Sequence, residues 1–282
     1  MNNEAQKLNQ IKKDIFLTAY SSRMKAAHLA SAYSIADVLF ALYFRDILSY
    51  RPDEPEWEDR DRVILSKGHA SLALYSVMCG AGFFKRDELF TFCQSNTRLG
   101  GEPNMNILPG IEACSGSLGH GLSFGIGIAL AKKLDNKPGN TYVIIGDGES
   151  QEGSVWEGVM SAPAHKLDNL TVILDFNRIQ KMGRVEDSMG INDWQNKWEA
   201  FGWDTYRVNG HNINEIETCF KSYLPSGKPR LIIAETVKGH GVSIMENDPN
   251  WHFKMPNKKE LKIFMNELNI SETELTECRE HI

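Results

Sequence analysis

The chain lacks most of the marks that would tie it to metal clusters, nucleic acid or a membrane. Its five cysteines, Cys79, Cys93, Cys114, Cys219 and Cys278, are odd in number and scattered, and no C-x-x-C occurs. That argues against structural zinc and a disulfide framework, and fits a reduced, cytoplasmic protein. Basic residues form no block, and 31 of them against 37 acidic ones leave a net charge of -6, so nucleic acid is not an expected partner. Apolar runs break off well short of a membrane span. The opening MNNEAQKLNQIKKDIF has no apolar h-region, so no secretory signal is expected. Neither G-x-G-x-x-G nor G-x-x-x-x-G-K-[ST] is found, which weighs against dinucleotide and P-loop sites. Short-period repeats and low-complexity tracts are missing as well.

What is there is an ordinary globular composition, 41% hydrophobic and 24% charged over 282 residues, enough for one large α/β domain. The organising stretch runs from Tyr142 to Asn177. An apolar run, Tyr142 to Ile145, stops at Gly146-Asp147-Gly148, and a second, Leu170 to Leu174, stops just before Asn177. Between them Ser154 and Glu157 form an S-x-x-E capping box, which predicts a helix reaching about Lys166. Strand, helix and strand make one βαβ unit, so Asp147 and Asn177 fall at the same carboxyl edge of two parallel strands. Hard oxygen donors there suit Mg²⁺ carrying phosphate oxygens, and Gly148 lets a phosphate approach backbone N–H groups.

The other segments repeat this pattern. Glu4 to Tyr20 reads as an outer helix, and Ser34 with Asp37 as the cap of a buried one, IADVLFALYF, just after His28. Ser49 to Arg60 is a polar loop. The strand Arg62 to Leu65 ends in Ser66-Lys67-Gly68-His69, followed by a helix from Ser71 to Gly80. Gln94 to Pro109 is a long irregular loop leading into a segment whose Gly116, Gly119, Gly121, Gly125 and Gly127 require close packing or ligand contact. RIQKMGRVEDSMGIND, after Asn177, reads as a loop over a ligand, and Trp194 to Phe201 as a helix. Asp204 to Val208 and Leu231 to Glu235 read as strands flanking a helix from about Asn214 to Tyr223. The second ends in Lys238-Gly239-His240, and an irregular Asp248 to Lys254 follows. Lys258 to Ile282 reads as a charged helical tail on the surface. The fold class is therefore α/β, a doubly wound, mainly parallel sheet with helices on both faces.

G-D-G followed by Asn177 resembles the metal motif of thiamine-diphosphate enzymes. LSKGHA, G-S-L-G-x-G, GDGESQEG, LDNLTVILDFN, AETVKGHGVS and MENDPNWH follow one another as in transketolases, most closely the N-terminal subunit of the split form. The resemblance covers about residues 8 to 257. It implies a single diphosphate-binding domain over 1–282, with a helical tail from about 257 and the pyrimidine domain on a partner chain, the C-terminal subunit of an α₂β₂ enzyme. It implies thiamine diphosphate and Mg²⁺ (Ca²⁺ or Mn²⁺ could substitute), and transfer of a two-carbon ketol unit from a ketose to an aldose. Asp147, Asn177 and the Ile179 carbonyl would hold the metal. Gly146, Gly148, Glu149, Gly116, Leu118, His69 and His252 would contact the cofactor. His28, His69 and His252 would serve at the substrate and in proton transfer, with Lys254 beside them. Glu152 and Glu157 would lie between paired active sites.

The sequence departs from the family where substrate is expected. Glu102 stands in G-E-P where G-H-P is usual, Ala27, Ala30 and Tyr33 surround His28, His120 replaces a glutamine, and Phe253 replaces the glycine after W-H. An intact metal motif with these changes implies a non-standard sugar or sugar phosphate. The competing readings are a 2-oxoacid dehydrogenase or deoxyxylulose-phosphate synthase type of subunit, and a non-catalytic cofactor-binding subunit.

Overall fold

A computed structural model describes residues 3–190 and 193–280. Ile191 and Asn192 of the expected ligand-covering loop, and the two residues at each end of the chain, lie outside the described residues. In chain order the first half forms α1 (Asn3–Ser21), α2 (Leu29–Phe44), β1 (Arg62–Leu65), α3 (Ser71–Gly80), α4 (Arg86–Leu89), α5 (His120–Leu134), β2 (Thr141–Gly146) and α6 (Gly153–Ala164). There follow β3 (Leu170–Phe176), the short β4 (Ile179–Gln180) and β5 (Gly183–Arg184), and α7 (Val185–Met189). The last part holds α8 (Trp194–Ala200), β6 (Asp204–Asn209), α9 (Ile213–Lys221), β7 (Arg230–Glu235), α10 (Lys258–Glu267) and α11 (Glu272–Glu280).

Five strands form one sheet in the order β1-β2-β3-β7-β6, every pair parallel. Its central strands are apolar on both faces, as a sheet covered by helices on both sides requires. Alternation along β2, β3 and β7 sends Ile144, Ile173 and Ile232 into a core with α1, α2 and α3. Their neighbours Val143, Ile145, Leu174 and Ile233 join a second core with α5, α6 and the tryptophans Trp194 and Trp198. The doubly wound α/β architecture is the one expected. Helix α5 comes close to the sheet through its glycines: a Cβ on Gly121 would lie 2.4 Å from the Ser66 side chain, and one on Gly125 2.3 Å from Val143. Gly127 meets nothing within 4 Å, so close packing does not account for it.

Four local expectations need correction. The S-x-x-E box does not form: α6 begins at Gly153 without a side-chain cap, and Ser154 instead donates to the Gly119 carbonyl at 3.0 Å. Ser34 and Asp37 are not a cap either, because α2 starts at Leu29, directly after His28. Ser34 is buried inside the helix and donates to Asp175 at 2.8 Å, while Asp37 pairs with Lys12 and His211. The stretch after Asn177 is not wholly irregular: β4 and β5 pair antiparallel, and α7 follows. Nor is the tail merely superficial. Phe264, Leu268, Ile270, Leu275 and Cys278 are buried, and Phe264 packs on Phe16 and Trp251 at 4.9 and 5.5 Å between ring centroids. Its charged outer face hid an apolar inner one.

The Phe264→Ala chain should therefore lose about 3–5 kcal/mol of stability, the usual cost of emptying a fully buried aromatic site. Denaturant unfolding measures this, and a loss below about 1 kcal/mol, the scale of an exposed change, would mean that α10 contributes little to the core.

Candidate active site

The carboxyl ends of β1, β2, β3 and β7 border a cleft of about 590 Å³, lined among others by His28, Lys67, His69, Glu102, Asp147, Asn177, Lys238 and His252. Parallel strands collect their polar termini on one edge, and ligands bind there. Asp147, at the end of β2, is 3% exposed. Its oxygens accept the backbone N–H groups of Gly148 at 2.8 Å and of Arg178 at 2.5 Å. Burial, followed by the charge of Asp175, pushes its carboxyl up to about 7. Asn177 presents Oδ1 to the Ile179 N–H at 3.0 Å, and the Ile179 carbonyl accepts the Lys238 ammonium at 2.8 Å.

A buried carboxyl short of countercharge, an amide oxygen and a carbonyl that has already drawn in a cation form an all-oxygen set. Its chemistry fits Mg²⁺ carrying a diphosphate. Gly148 is pressed too: a Cβ there would lie 2.9 Å from Gln180 Oε1. Gly116 adopts φ +126, and a Cβ would collide with the Glu102 carboxylate at 1.7 Å. Glu102 therefore lies across the glycine that sequence reasoning placed against the cofactor.

Three histidines converge, with His28 5.1 Å from His69 and 5.0 Å from His252 between ring centroids. His28 Nδ1 lies 2.9 Å from the His252 carbonyl, which can only accept, so Nδ1 carries the proton and Nε2 is an acceptor. His252 Nδ1 receives the Lys238 ammonium at 3.2 Å, so its Nε2 carries the proton. One imidazole can thus take a proton while its neighbour gives one. Burial, then Lys238 and His28, lowers His252 to about 3. Burial, then Lys67, holds His69 well below the usual histidine range, and burial lowers His28 as well. All three are neutral near pH 7.

Gly146, Gly148, Glu149, Glu152, Leu118 and Ile179 also line the cleft. Glu149, however, is fully committed: it accepts from Ser66 Oγ at 2.5 Å, the Gly119 N–H at 2.9 Å and the Gly146 N–H at 3.0 Å, tying three loops together. Glu157 is exposed and does not line the cleft. Lys254 is likewise absent from the lining; it pairs with Glu260 at 2.6 Å over the Trp251 ring. Among the departures, Phe253 lies 4.6 Å from the His28 ring and is half-exposed. Tyr33 is not on the substrate side: it is fully buried and donates to the Lys12 carbonyl. Sequence reasoning missed Lys67, Asp175 and Lys238 as site residues. The signal was a lysine before Gly-His at two strand ends, and an acid inside the apolar LTVILDF.

A second group, Asp37, His211 and His240, has metal-ligand composition. Both His211 nitrogens are occupied, by Asp37 at 2.7 Å and the Val237 N–H at 2.8 Å, and Lys12 holds the other Asp37 oxygen at 2.8 Å. These partners occupy the atoms that His211 and Asp37 would offer an ion.

A parallel sheet with glycine turns and hard oxygen donors at its carboxyl edge defines an α/β domain with a candidate site for a metal-borne phosphate group. Residues 10–277 match the family described as "Transketolase, thiamine diphosphate binding domain". The chain belongs to the transketolase family. It is 41% identical over 248 residues to an apulose-4-phosphate transketolase subunit of Phocaeicola vulgatus, covering 88% of each chain. It is 39% identical over 225 residues to the 6-deoxy-6-sulfo-D-fructose transketolase subunit SqwG of a Clostridium species, covering 79% of this chain and 82% of that one. Transketolase from Campylobacter jejuni superposes with a TM-score of 0.85 at 29% identity, over all of this chain and 46% of that one. The chain thus spans about half the length of that solved transketolase. Among the described residues no helix is long and apolar enough to cross a membrane.

The half-buried histidines make a pH prediction. His252 is held at about 3 against an ordinary 6.5, so below about pH 6.5 the unfolded chain takes up a proton that the folded chain refuses. Folding stability should fall as pH drops from about 6.5 toward 3. Thermal unfolding should show a shallower decline in His252→Asn than in wild type; equal slopes would contradict the neutral imidazole.

Proposed function

We propose that this chain is the thiamine-diphosphate- and Mg²⁺-binding subunit of a split ketol transferase. In this reading residues 1–282 form one diphosphate-binding domain, and the pyrimidine-binding domain lies on a partner subunit in an α₂β₂ assembly. The observation that carries it is the meeting of an oxygen-donor set and neutral histidines in one cleft. The two relatives named as transketolase subunits, each covered over more than four-fifths of its length, support a partner-dependent enzyme.

Asp147, Asn177 and the Ile179 carbonyl would hold the ion, and Gly148 would admit the diphosphate. The cofactor, when bound, supplies the electron sink for breaking and forming the carbon–carbon bond. The protein's part is positioning and proton transfer. His28 Nε2 is free to accept a proton from a sugar hydroxyl, and His252 Nε2–H can donate one to a carbonyl oxygen. Neutral imidazoles suit this exchange better than imidazolium, which could only donate. Lys238, between the Ile179 carbonyl and His252, provides positive charge beside both.

Substrate choice follows from the changed lining. Glu102 accepts hydrogen bonds and repels anions, and Phe253 packs at a tilt against the His28 ring. We infer a non-standard ketose donor, with hydroxyl rather than anionic groups near Glu102. Two relatives of similar length carry the names of unusual sugars, apulose 4-phosphate and 6-deoxy-6-sulfo-D-fructose, which supports this choice.

Calorimetric titration of thiamine diphosphate with Mg²⁺, on the chain alone and with its partner subunit, tests the reading. Binding should tighten when the partner is added and be lost in Asp147→Ala. An assembled complex that binds neither would overturn it in favour of a non-catalytic subunit.

A further inference from the structure

Asp175 occupies a position that the strand pattern reserves for an apolar side chain. It is the sixth residue of β3, fully buried, and alternation points it with Ile173 into the layer of α2. Its register neighbours are Gly146 on β2 and Ala234 on β7, two small residues that leave room for it. Each oxygen has two partners. Oδ1 accepts from Ser34 Oγ at 2.8 Å and Thr236 Oγ1 at 2.5 Å. Oδ2 accepts from the Lys67 ammonium and from Asn177 Nδ2, the latter at 3.2 Å. Lys67, 2% exposed, supplies the countercharge, and two hydroxyls and an amide satisfy the remaining lone pairs.

The bond to Asn177 bears on the metal. A side-chain amide has two ends of nearly the same shape, and only the oxygen end can ligate a cation. A carboxylate only accepts, so the Asn177 atom beside Asp175 must be the nitrogen. Ser34 agrees: its hydroxyl proton goes to Asp175, leaving a lone pair for the second Asn177 N–H at 3.2 Å. The Ile179 N–H, at 3.0 Å, requires oxygen at the opposite end. Turned over, the amide would set its oxygen against a buried carboxylate and its N–H groups against another N–H.

We infer that Asp175 is a positioning residue that selects the end of the Asn177 amide facing the cleft. It acts through Asn177 and touches no ligand itself. The inference rests on the reading of Asn177 as a metal ligand and goes beyond it, assigning orientation to a side chain buried beneath the site. Groups of this kind behind a ligand typically change metal affinity by roughly 10–100-fold.

The test uses the full chain with its partner subunit and saturating thiamine diphosphate, reading Mn²⁺ affinity by electron paramagnetic resonance. Asp175→Asn should weaken Mn²⁺ by roughly 10–100-fold. The exchange Asp175→Asn with Asn177→Asp should restore most of that loss, because a carboxylate at 177 presents oxygen whichever way it turns. Because a carboxylate binds Mn²⁺ more tightly than an amide by itself, Asn177→Asp alone is the reference. Adding Asp175→Asn to it should cost far less than the loss seen with Asn177 present, whereas a merely structural role costs the same in both. Ser34→Ala leaves the buried ion pair intact, so it serves even where Asp175→Asn fails to fold, and should cost a few-fold. Wild-type affinity in Asp175→Asn or in Ser34→Ala, or no rescue in a folded exchange variant, would overturn the inference while leaving the metal site standing. Wild-type chain that binds no Mn²⁺ would overturn both.

Discussion

Five strands running the same way are the constraint on which the rest depends. A parallel sheet must return by crossover helices, and the crossovers bury both faces, so its polar loops collect at the ends of the strands. Here the carboxyl edge brings together the Gly-Asp-Gly turn after β2, the Asn-x-Ile turn after β3, Lys-Gly-His after β1 and Lys-Gly-His after β7. No one of these turns is a site. Together they border one cleft because register holds Leu65 opposite Ile144, Gly146 opposite Asp175 and Phe176 opposite Glu235.

The edge is electrostatically divided. Its inner layer is a buried ion pair, Lys67 with Asp175, surrounded by hydroxyls and an amide. Such pairs contribute little net stability, since desolvation offsets their attraction, but removing one partner strands a charge in the core. Above that layer lies Asp147, whose carboxyl burial pushes up to about 7, and Lys238, which burial lowers to about 8. Both shifts come first from the burial of these groups at the cleft. The histidines complete it by remaining uncharged, and His28 and His252 are each fixed in one tautomer by a neighbour that can only accept or only donate.

Much of this was legible in the sequence, for identifiable reasons. Strands such as YVII and LTVIL are apolar on both faces, so they declared themselves, and the glycine turns at their ends placed Asp147, Asn177 and His69 on one edge. What was not legible depended on tertiary contacts. Ser34 looked like a cap because caps and buried hydroxyls share a residue type, and only the partner Asp175 separates them. Ser154 was drawn away from its helix terminus by the Gly119 carbonyl. Tyr33 read as a substrate-side change because it neighbours His28 in sequence, yet helical geometry turns it into the core. Lys238 was passed over because a lysine in a loop is usually solvated; here β4 and the His252 loop enclose it.

The central claim is that this chain supplies the diphosphate, metal and histidine half of a site whose cofactor-activating half lies on a partner. The most direct measurement is deuterium exchange at the thiazolium C2 position of bound thiamine diphosphate, followed by NMR with Mg²⁺ present. With this chain alone, exchange should stay near the rate of the free cofactor, and adding the partner subunit should accelerate it by orders of magnitude. Full acceleration by this chain alone would contradict the claim, since the activating group would then have to lie within these 282 residues.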